Sequence, residues 1–454
     1  MTFDRCACDV PAHLYSFSFW PKTDWTAPFA PQPEILEYLR SVVDHFGIRG
    51  NIRFNTPMTE SKWCESDFRW EITCGDGSVY RPRFYIGAIG GLHHPSYPNV
   101  DRERFQGKQF HSAEWNNSWR SKGQRVAVIG SAASAVQLVP EIAPDAEHVY
   151  VFQRTPNWIA RRSVPMLVPT GKYSEWMKTA FANVPLLEKA HRLSIYLMQE
   201  SLFTAGVFDT HGTAAKIATY ALTKNMQQQC GGDMELAAKI IPDYSPGCKR
   251  ICRVDNYIPA LRRDNVDLIT SGVSKVDEDS VYDSEGNKYQ VDTIIYATGF
   301  HPGSLGSNTK LIGANGIQKE GDDISNSGFD SYLGIVTPDF PNSFLLLGPN
   351  TGLGHNSIIL MIESQIEYAL RIMNEAIDND IDRLEIKPEF VRKFCEWVDE
   401  EFKKRVWLTG GCNSYYKNDD GKVFALYPGS TLHYFRSIAS APSLLQSYKI
   451  KSKI

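Results

Sequence analysis

A run of small residues, Gly130-Ser131-Ala132-Ala133-Ser134-Ala135, has the spacing of a phosphate-binding turn between an apolar strand and a helix. In a G-x-G-x-x-G turn the first glycine allows the bend, the second lets the backbone approach a diphosphate, and the third lets the helix pack on the strand. Gly130 keeps the first, and Ala132 and Ala135 are small substitutes for the others. The run predicts a dinucleotide-binding turn with contacts at Gly130, Ser131, Ala132, Ser134 and Ala135; a turn kept small for packing alone is the alternative.

The strand that follows this turn and helix ends in VFQRT, with Arg154 and Thr155 at its last positions. NAD sites place Asp or Glu about 20 residues after the turn, where it binds the ribose 2′-hydroxyl. A carboxylate would repel a 2′-phosphate, whereas a guanidinium can bind one through two hydrogen bonds. The pattern therefore favours NADP(H), and a solvated charge at a strand end is the alternative.

Upstream, the residues Phe105-x-Gly107-x-x-x-His111-x-x-x-Trp115 resemble the fingerprint of Baeyer–Villiger monooxygenases, F-x-G-x-x-x-H-x-x-x-W followed by Pro or Asp. Asn116 departs from the last position of that pattern. In the family this segment is mainly a hinge between domains. The resemblance therefore implies that His111 orients domains and does not transfer protons; taken alone, it would be a structural histidine in a linker.

The resemblance extends along nearly the whole chain. CDVPAHLYSFSF (8–19) is similar to the segment along the flavin, YATGF (296–300) to the strand that joins the two dinucleotide-binding domains, and GPNTGLGHNSI (348–358) to a turn and helix near the flavin. The GHNS variant resembles the 4-hydroxyacetophenone monooxygenase-like branch. The resemblance implies FAD contacts at Asp9, Tyr15, Met58 and Ile358.

The segment CKR (248–250) resembles the Lys-Arg pair of the family. The implied reaction is that NADPH reduces FAD, O2 adds to give a C4a-peroxyflavin, and the peroxide inserts oxygen into a ketone to yield an ester or lactone. Arg250 would be the catalytic cation, because a guanidinium stays charged and can stabilise developing negative charge. Asp9 would orient it. Lys249 would join Arg154 and Thr155 on the 2′-phosphate, with Arg250 also touching NADP. Without the resemblance, the pair would be assigned to a surface loop.

The same resemblance places a first G-x-G-x-x-G turn, for FAD, ahead of Cys8 and Asp9. The sequence begins at Met1, so we expect its FAD-binding domain to be N-terminally truncated. Two interpretations stay open: an incomplete version of an active enzyme, or a shortened protein that binds NADP(H) without catalysis. N- or S-oxidising flavin monooxygenases share the architecture and are a further alternative, although Asp9 and Arg250 favour ketone oxidation.

The elements that must position these residues alternate between strands and helices, which predicts an α/β fold. We expect two Rossmann-like dinucleotide-binding domains with a helical insert, the FAD domain being truncated. Helical spacing is seen in 33–47 and in the long segment after Ser357, whereas the last 60 residues are aromatic-rich and predicted to be irregular. The expected division is FAD domain 1–120, NADP domain 121–164, insert 165–245, NADP domain 246–300 and FAD domain 301–454.

Composition sets broad limits. The chain has 454 residues, 42% of them hydrophobic and 22% charged, with a net charge of −4, so no basic excess indicates nucleic acid or an anionic membrane as partner. It has no signal-like apolar start and no apolar run long enough to span a bilayer. Nine scattered cysteines are interpreted as packing thiols of a cytoplasmic protein, with no metal site. The substrates would be a ketone and O2; the particular ketone and the oligomeric state are not readable.

Overall fold

The computed structural model describes residues 6–162, 171–303, 309–320, 329–442 and 448–451. The helices are α1 (Gln32–His45), α2 (Ala135–Ile142), α3 (Glu175–Asn183), α4 (Pro185–Thr204), α5 (Thr213–Gln229), α6 (Met234–Ile240), α7 (Tyr257–Leu261), α8 (Ile358–Asp378), α9 (Pro388–Phe402), α10 (Val406–Thr409) and α11 (Thr431–Ala439). The strands are β1 (Met58–Cys64), β2 (Arg69–Cys74), β3 (Val79–Tyr80), β4 (Tyr85–Gly87), β5 (Lys108–His111), β6 (Arg125–Ile129), β7 (His148–Phe152), β8 (Ile159–Ala160), β9 (Cys252–Arg253), β10 (Val266–Ile269), β11 (Val273–Asp277), β12 (Ser280–Asp283), β13 (Lys288–Gln290), β14 (Thr293–Tyr296), β15 (Lys310–Ile312), β16 (Gln318–Glu320), β17 (Ser343–Leu345), β18 (Arg383–Ile386) and β19 (Tyr448–Lys451).

Five parallel strands form the central sheet of one dinucleotide-binding unit, in the order β10-β7-β6-β14-β5. Strand β6 is buried over Val126–Ile129, as expected for a parallel strand covered on both faces. Helix α2 follows β6 and buries Val136 and Val139 against it. The predicted strand–turn–helix–strand unit is therefore confirmed. Edge strand β5 lies before residue 121, where the NADP domain was predicted to begin, and yet it pairs with β14 in this sheet.

The remaining strands belong mainly to the other unit. A five-stranded sheet has the order β16-β15-β1-β2-β3. Strand β4 pairs in parallel with β17, so residues 85–87 lie next to residues 343–345. Helix α1 confirms the helix predicted over 33–47, and the 21-residue helix α8 confirms the one predicted after Ser357. Strand β17 ends at Leu345, and Leu347 takes a left-handed φ of 57°, so the predicted strand through FLLLGPN is shorter than expected.

Helices α3 to α6 form the insert, which the sequence predicted to be helical; residues 165–170 of the predicted range lie outside the described part of the chain. Helix α4 packs on the N-terminal segment, where Ile195 contacts Val10 and Leu14 in a buried cluster. Its Glu188 lies 3.4 Å from the buried ring of His13. The insert is therefore fixed on the segment that carries Asp9 and Tyr15.

Two sequence-based predictions are corrected. The last 60 residues are not irregular throughout, because α11 forms at 431–439, with Ser430 capping its first turn and Tyr434 and Ile438 buried at helical spacing. Not all cysteines are packing thiols either: Cys248 and Cys412 form a disulfide across 164 residues, a pairing that their separation conceals in the sequence. In the described part of the chain, no helix is both long and apolar enough to cross a membrane.

Candidate active site

The turn after β6 adopts the conformation predicted from its small residues. Gly130 has a φ of +113°, which favours glycine, and a side chain there would clash with the carbonyl oxygen of Ala297, the residue after β14. Ala132, Ala133 and Ser134 are exposed at the start of α2, whereas Ala135 is fully buried. The turn thus presents open backbone beside a helix N-terminus, the arrangement that binds phosphate.

Ser131 is buried and holds this turn to the end of the next strand. Its hydroxyl donates to the carbonyl of Thr155 at 3.3 Å, and the Asn157 amide donates to the Ser131 carbonyl at 3.1 Å. These bonds bring Arg154 and Thr155 next to the turn, as the βαβ pattern predicted. Asn157 was not identified from the sequence, where nothing separates it from other loop amides.

Arg154 and Lys249 come together although 95 positions separate them in the sequence. Burial and then the nearby charge of Arg154 lower the pKa of Lys249. Arg154 is exposed, and neither cation forms an ion pair within the part of the chain that the structure describes. Two neighbouring cations without a carboxylate form a site suited to a doubly charged anion such as a phosphate monoester.

The Asp9 carboxylate and the Arg250 guanidinium form a two-point ion pair. Arg250 Nε donates to one carboxylate oxygen at 2.5 Å and an Nη donates to the other at 2.7 Å. Burial alone would raise the pKa of Asp9, but the charge and hydrogen bonds of Arg250 outweigh it and lower that pKa. The same pairing outweighs burial at Arg250 and raises its pKa well above the usual value. Both groups are therefore charged, and the pair fixes the plane of the guanidinium.

Other side chains surround this ion pair. Burial and then the charge of Asp9 raise the pKa of Tyr15, which lies near the pair. Burial and Asp9 also raise the pKa of the Cys252 thiol to about 12. Tyr416 is buried and lies close to Arg250. Sequence reasoning missed Cys252 and Tyr416, since only folding brings the C-terminal loop to this site.

The turn before α8 is joined to the same region. Ser357 caps α8 and donates its hydroxyl proton to the Leu14 carbonyl at 2.7 Å, so Ile358 starts the helix close to Tyr15. Ile358 is 37% exposed and is available to a ligand. Met58 is not brought to this cluster: it begins β1 in the other sheet, where its carbonyl accepts from Thr309 at 3.3 Å.

The fingerprint residues lie at and around β5. Phe105 is buried, and a side chain at Gly107 would approach the Asp292 carbonyl to 2.6 Å. His111 ends β5, is fully buried and lies with its ring centroid 5.5 Å from that of Phe300 and 5.4 Å from that of Tyr97.

Trp115 completes the fingerprint and stacks edge-on with Phe110 and Trp119. Phe300 ends the segment YATGF. The fingerprint therefore packs where the parallel sheet meets the return connection to the other unit.

Comparison with known proteins agrees with this geometry. The family described as pyridine nucleotide-disulphide oxidoreductase matches residues 14–192. A Baeyer–Villiger monooxygenase from Pseudomonas aeruginosa is 36% identical over 434 residues, which cover 94% of this chain and 80% of the relative. The solved structure of oxidized steroid monooxygenase bound to NADP superposes with a TM-score of 0.83 at 26% identity, covering 99% of this chain and 91% of the other.

A second solved structure, the OTEMO complex with FAD and NADP, has a TM-score of 0.84 at 24% identity and covers 98% of this chain and 90% of its own. At that identity it supports the fold alone, that of two dinucleotide-binding units. The identity and coverage of the bacterial relative go further. This chain belongs to the Baeyer–Villiger monooxygenase family.

Proposed function

We propose that the protein is an NADPH- and FAD-dependent monooxygenase that inserts one oxygen atom of O2 into a ketone, giving an ester or lactone, water and NADP+. The observation that carries this proposal is the Asp9–Arg250 pair, with its two hydrogen bonds of 2.5 and 2.7 Å. The names and bound cofactors of the relatives support it.

The residues fit both cofactors. For NADPH, the open turn at Ala132–Ser134 would hold the diphosphate, and Arg154, Thr155 and Lys249 would hold the 2′-phosphate. For FAD, the start of α8 at Ile358 lies beside Tyr15 through the Ser357–Leu14 hydrogen bond. When bound, FAD would take a hydride from NADPH and activate O2.

The protein's own contribution to the reaction would be electrostatic. Arg250 would hold the negative charge that develops on the reacting oxygen, and such preorganised stabilisers typically contribute about 10²–10³ in rate. Asp9 would keep the guanidinium plane fixed, so that no reorganisation is needed when charge develops. Arg250 cannot act as a proton donor, because its pKa is raised well above the usual value.

Substitution of Arg250 tests this role. We expect Arg250→Ala to abolish ester formation, and Arg250→Lys not to restore it, because an ammonium lacks the planar fork that binds Asp9. Asp9→Ala should impair the reaction less completely. The measurement is product analysis with a panel of small ketones beside a hydrogen peroxide assay, since NADPH oxidation can continue without oxygen insertion.

The same experiment separates the alternatives. Ester formation by Arg250→Ala at the parent rate would remove Arg250 from the mechanism. A parent protein that oxidises amines or sulfides but no ketone would be an N- or S-oxidising monooxygenase. Purified protein that contains and binds no FAD would be a non-catalytic NADP(H)-binding homologue.

The division into domains is also proposed. Because β5 pairs with β14, we place the start of the NADP(H)-binding unit before Lys108 instead of at residue 121. The fingerprint residues Phe105 and His111 then lie at the entrance to this unit, which fits a role in orienting it. A cytoplasmic location stays a prediction, to be tested by cell fractionation.

A further inference from the structure

Two arginines that the proposed reaction does not use lie near the Asp9–Arg250 pair, and one hydrogen bond links the side chain of Arg162 to the backbone of Arg253. Strands β8 and β9 run in parallel, and Ala160 is the pairing partner of Arg253. Arg162, two positions further on, donates its Nε proton to the Arg253 carbonyl at 2.9 Å. The short sheet therefore holds the Arg162 guanidinium against the backbone of Arg253, which lies three positions after Arg250.

Neither guanidinium has a carboxylate partner in the described part of the chain. Among the described residues, the Arg253 guanidinium donates only to the amide oxygen of Gln199, at 3.3 and 3.4 Å. One Nη of Arg162 is buried and has no hydrogen-bond partner within the part of the chain that the structure describes. The carboxylate of Asp255 accepts from the backbone N–H of Arg162 at 3.1 Å.

The surroundings compensate the charge of Arg253 only in part. Burial lowers the pKa of Arg253, Asp9 opposes that effect, and Arg250 adds to it. The charge of Asp9 acts on both Arg250 and Arg253. Both of its carboxylate oxygens, however, already accept hydrogen bonds from Arg250. A partly buried cation without a counter-charge is costly, and a guanidinium fork matches the oxygens of a carboxylate or phosphate.

We propose that Arg162 and Arg253 form an anion-binding site beside the Asp9–Arg250 pair, which binds a carboxylate or phosphate group. Two molecules can present such a group there: a ketone substrate that also carries a carboxylate, or NADP(H) through one of its phosphate groups. The first source deepens the proposed function and rests on it; the second requires only that the chain binds NADP(H).

Binding measurements on the full chain, without turnover, test the site. The probes are 4-acetylbenzoate, acetophenone, which lacks the carboxylate, and NADP+, each titrated by calorimetry. We expect 4-acetylbenzoate to bind at least about tenfold more tightly than acetophenone, as charge-assisted hydrogen bonds imply. Arg253→Met should remove that difference and leave NADP+ affinity unchanged, while Arg253→Lys should keep part of it.

The control is Arg263→Met, which removes an exposed arginine whose side chain donates to Asn265 and should change nothing. If Arg253→Met instead weakens NADP+ binding about tenfold while the two ketones bind alike, the site stands and its anion is a phosphate group of the cofactor. If Arg253→Met and Arg162→Met both leave all three affinities at the parent values, the proposal is wrong.

Circular dichroism establishes that each variant folds. If Arg253→Met does not fold, the same three affinities are measured for Arg162→Met and Arg253→Lys and judged by the same criteria. Because affinity is measured without catalysis, a protein that oxidises no ketone would contradict the proposed function and leave this result intact.

Discussion

At the residue scale, the ion pair of Asp9 and Arg250 converts two mobile side chains into one fixed group. The carboxylate accepts two hydrogen bonds from the guanidinium, which restricts rotation of both. A cation that is already oriented stabilises developing charge without reorganisation. We therefore expect the role of Asp9 to be positional, since it holds the Arg250 guanidinium in one orientation.

The prediction about the preference for NADPH over NADH concerns Arg154. We expect Arg154→Ala to weaken NADPH binding by at least about 1.5 kcal/mol, roughly tenfold, because a charge-assisted contact to the 2′-phosphate is lost. NADH, which lacks that phosphate, should bind as before. Titration of both cofactors into parent and variant measures this, with Arg263→Ala as control. Equal affinity of the parent for NADPH and NADH would contradict the assignment.

At the scale of elements, helix α4 connects the insert to the turn that precedes α8. Glu200 is buried and accepts from the Thr431 N–H at 2.8 Å, the Thr431 hydroxyl at 2.6 Å and the Asn356 amide at 3.1 Å; its carboxylate lies 3.4 Å from His355 Nε2. Burial alone would raise the pKa of Glu200, but these partners lower it to about 2. The contact thus depends on an ionised carboxylate.

This pKa predicts how stability depends on pH. Because the pKa of Glu200 is depressed in the folded state, its contribution is present above the unfolded value of 4.5 and is lost as pH falls towards 2. We expect Glu200→Gln to reduce the free energy of unfolding by about 2–3 kcal/mol at pH 7, and the deficit to shrink below pH 4.5. Urea unfolding at pH 7 and pH 4 measures it.

The matched control is Glu235→Gln, since Glu235 is 81% exposed and pairs with Lys239 four positions along α6. An exposed pair of this kind contributes little, so its removal should leave the free energy of unfolding nearly unchanged at both pH values. A deficit of Glu200→Gln that stays constant from pH 7 to pH 4 would show that the ionised carboxylate is not what stabilises the contact.

The prediction about the orientation of the two dinucleotide-binding units concerns His111, at the end of β5. His111 ends this strand, and burial lowers its pKa, so the ring is neutral near pH 7. We expect His111→Ala to lower turnover while the protein still folds and holds FAD, because the residue sets the orientation of the units for hydride transfer. Stopped-flow flavin reduction measures it, with His148→Ala, at the start of β7, as control. An unchanged rate of reduction would refute the role.

At the scale of the whole molecule, the disulfide between Cys248 and Cys412 joins the segment of Lys249 and Arg250 to the loop of Tyr416. It closes a loop of 164 residues. Cross-links of long loops stabilise proteins by typically 2–4 kcal/mol, chiefly by restricting the unfolded chain. Such bonds are rare in the cytosol, which makes the redox state of this pair informative about where the protein works.

We expect dithiothreitol to lower the melting temperature of the parent protein and Cys412→Ser to remove that sensitivity. Cys395→Ser, which alters a free and partly buried thiol, should retain it. Differential scanning calorimetry with and without reductant makes the comparison. A melting temperature that does not respond to reductant, in protein shown by thiol counting to be reduced, would mean that the cross-link does not stabilise the fold.

The sequence by itself determined the features that depend on neighbouring residues. The turn at Gly130, the parallel strand before it, helices α1 and α8 and the helical insert were all predicted, because φ preferences and apolar periodicity act over a few positions. Resemblance to a family added Asp9, Arg250 and the fingerprint around His111.

Only the tertiary structure decided which distant groups meet. The Asp9–Arg250 pair spans 241 positions, the contact of Glu200 with Thr431 spans 231, and the disulfide spans 164. Helix α11 and the place of β5 in the parallel sheet were likewise settled by packing. Such contacts follow from how strands and helices pack together. The free energy that stabilises this packing is distributed over many buried side chains, so no local sequence pattern predicts the contacts.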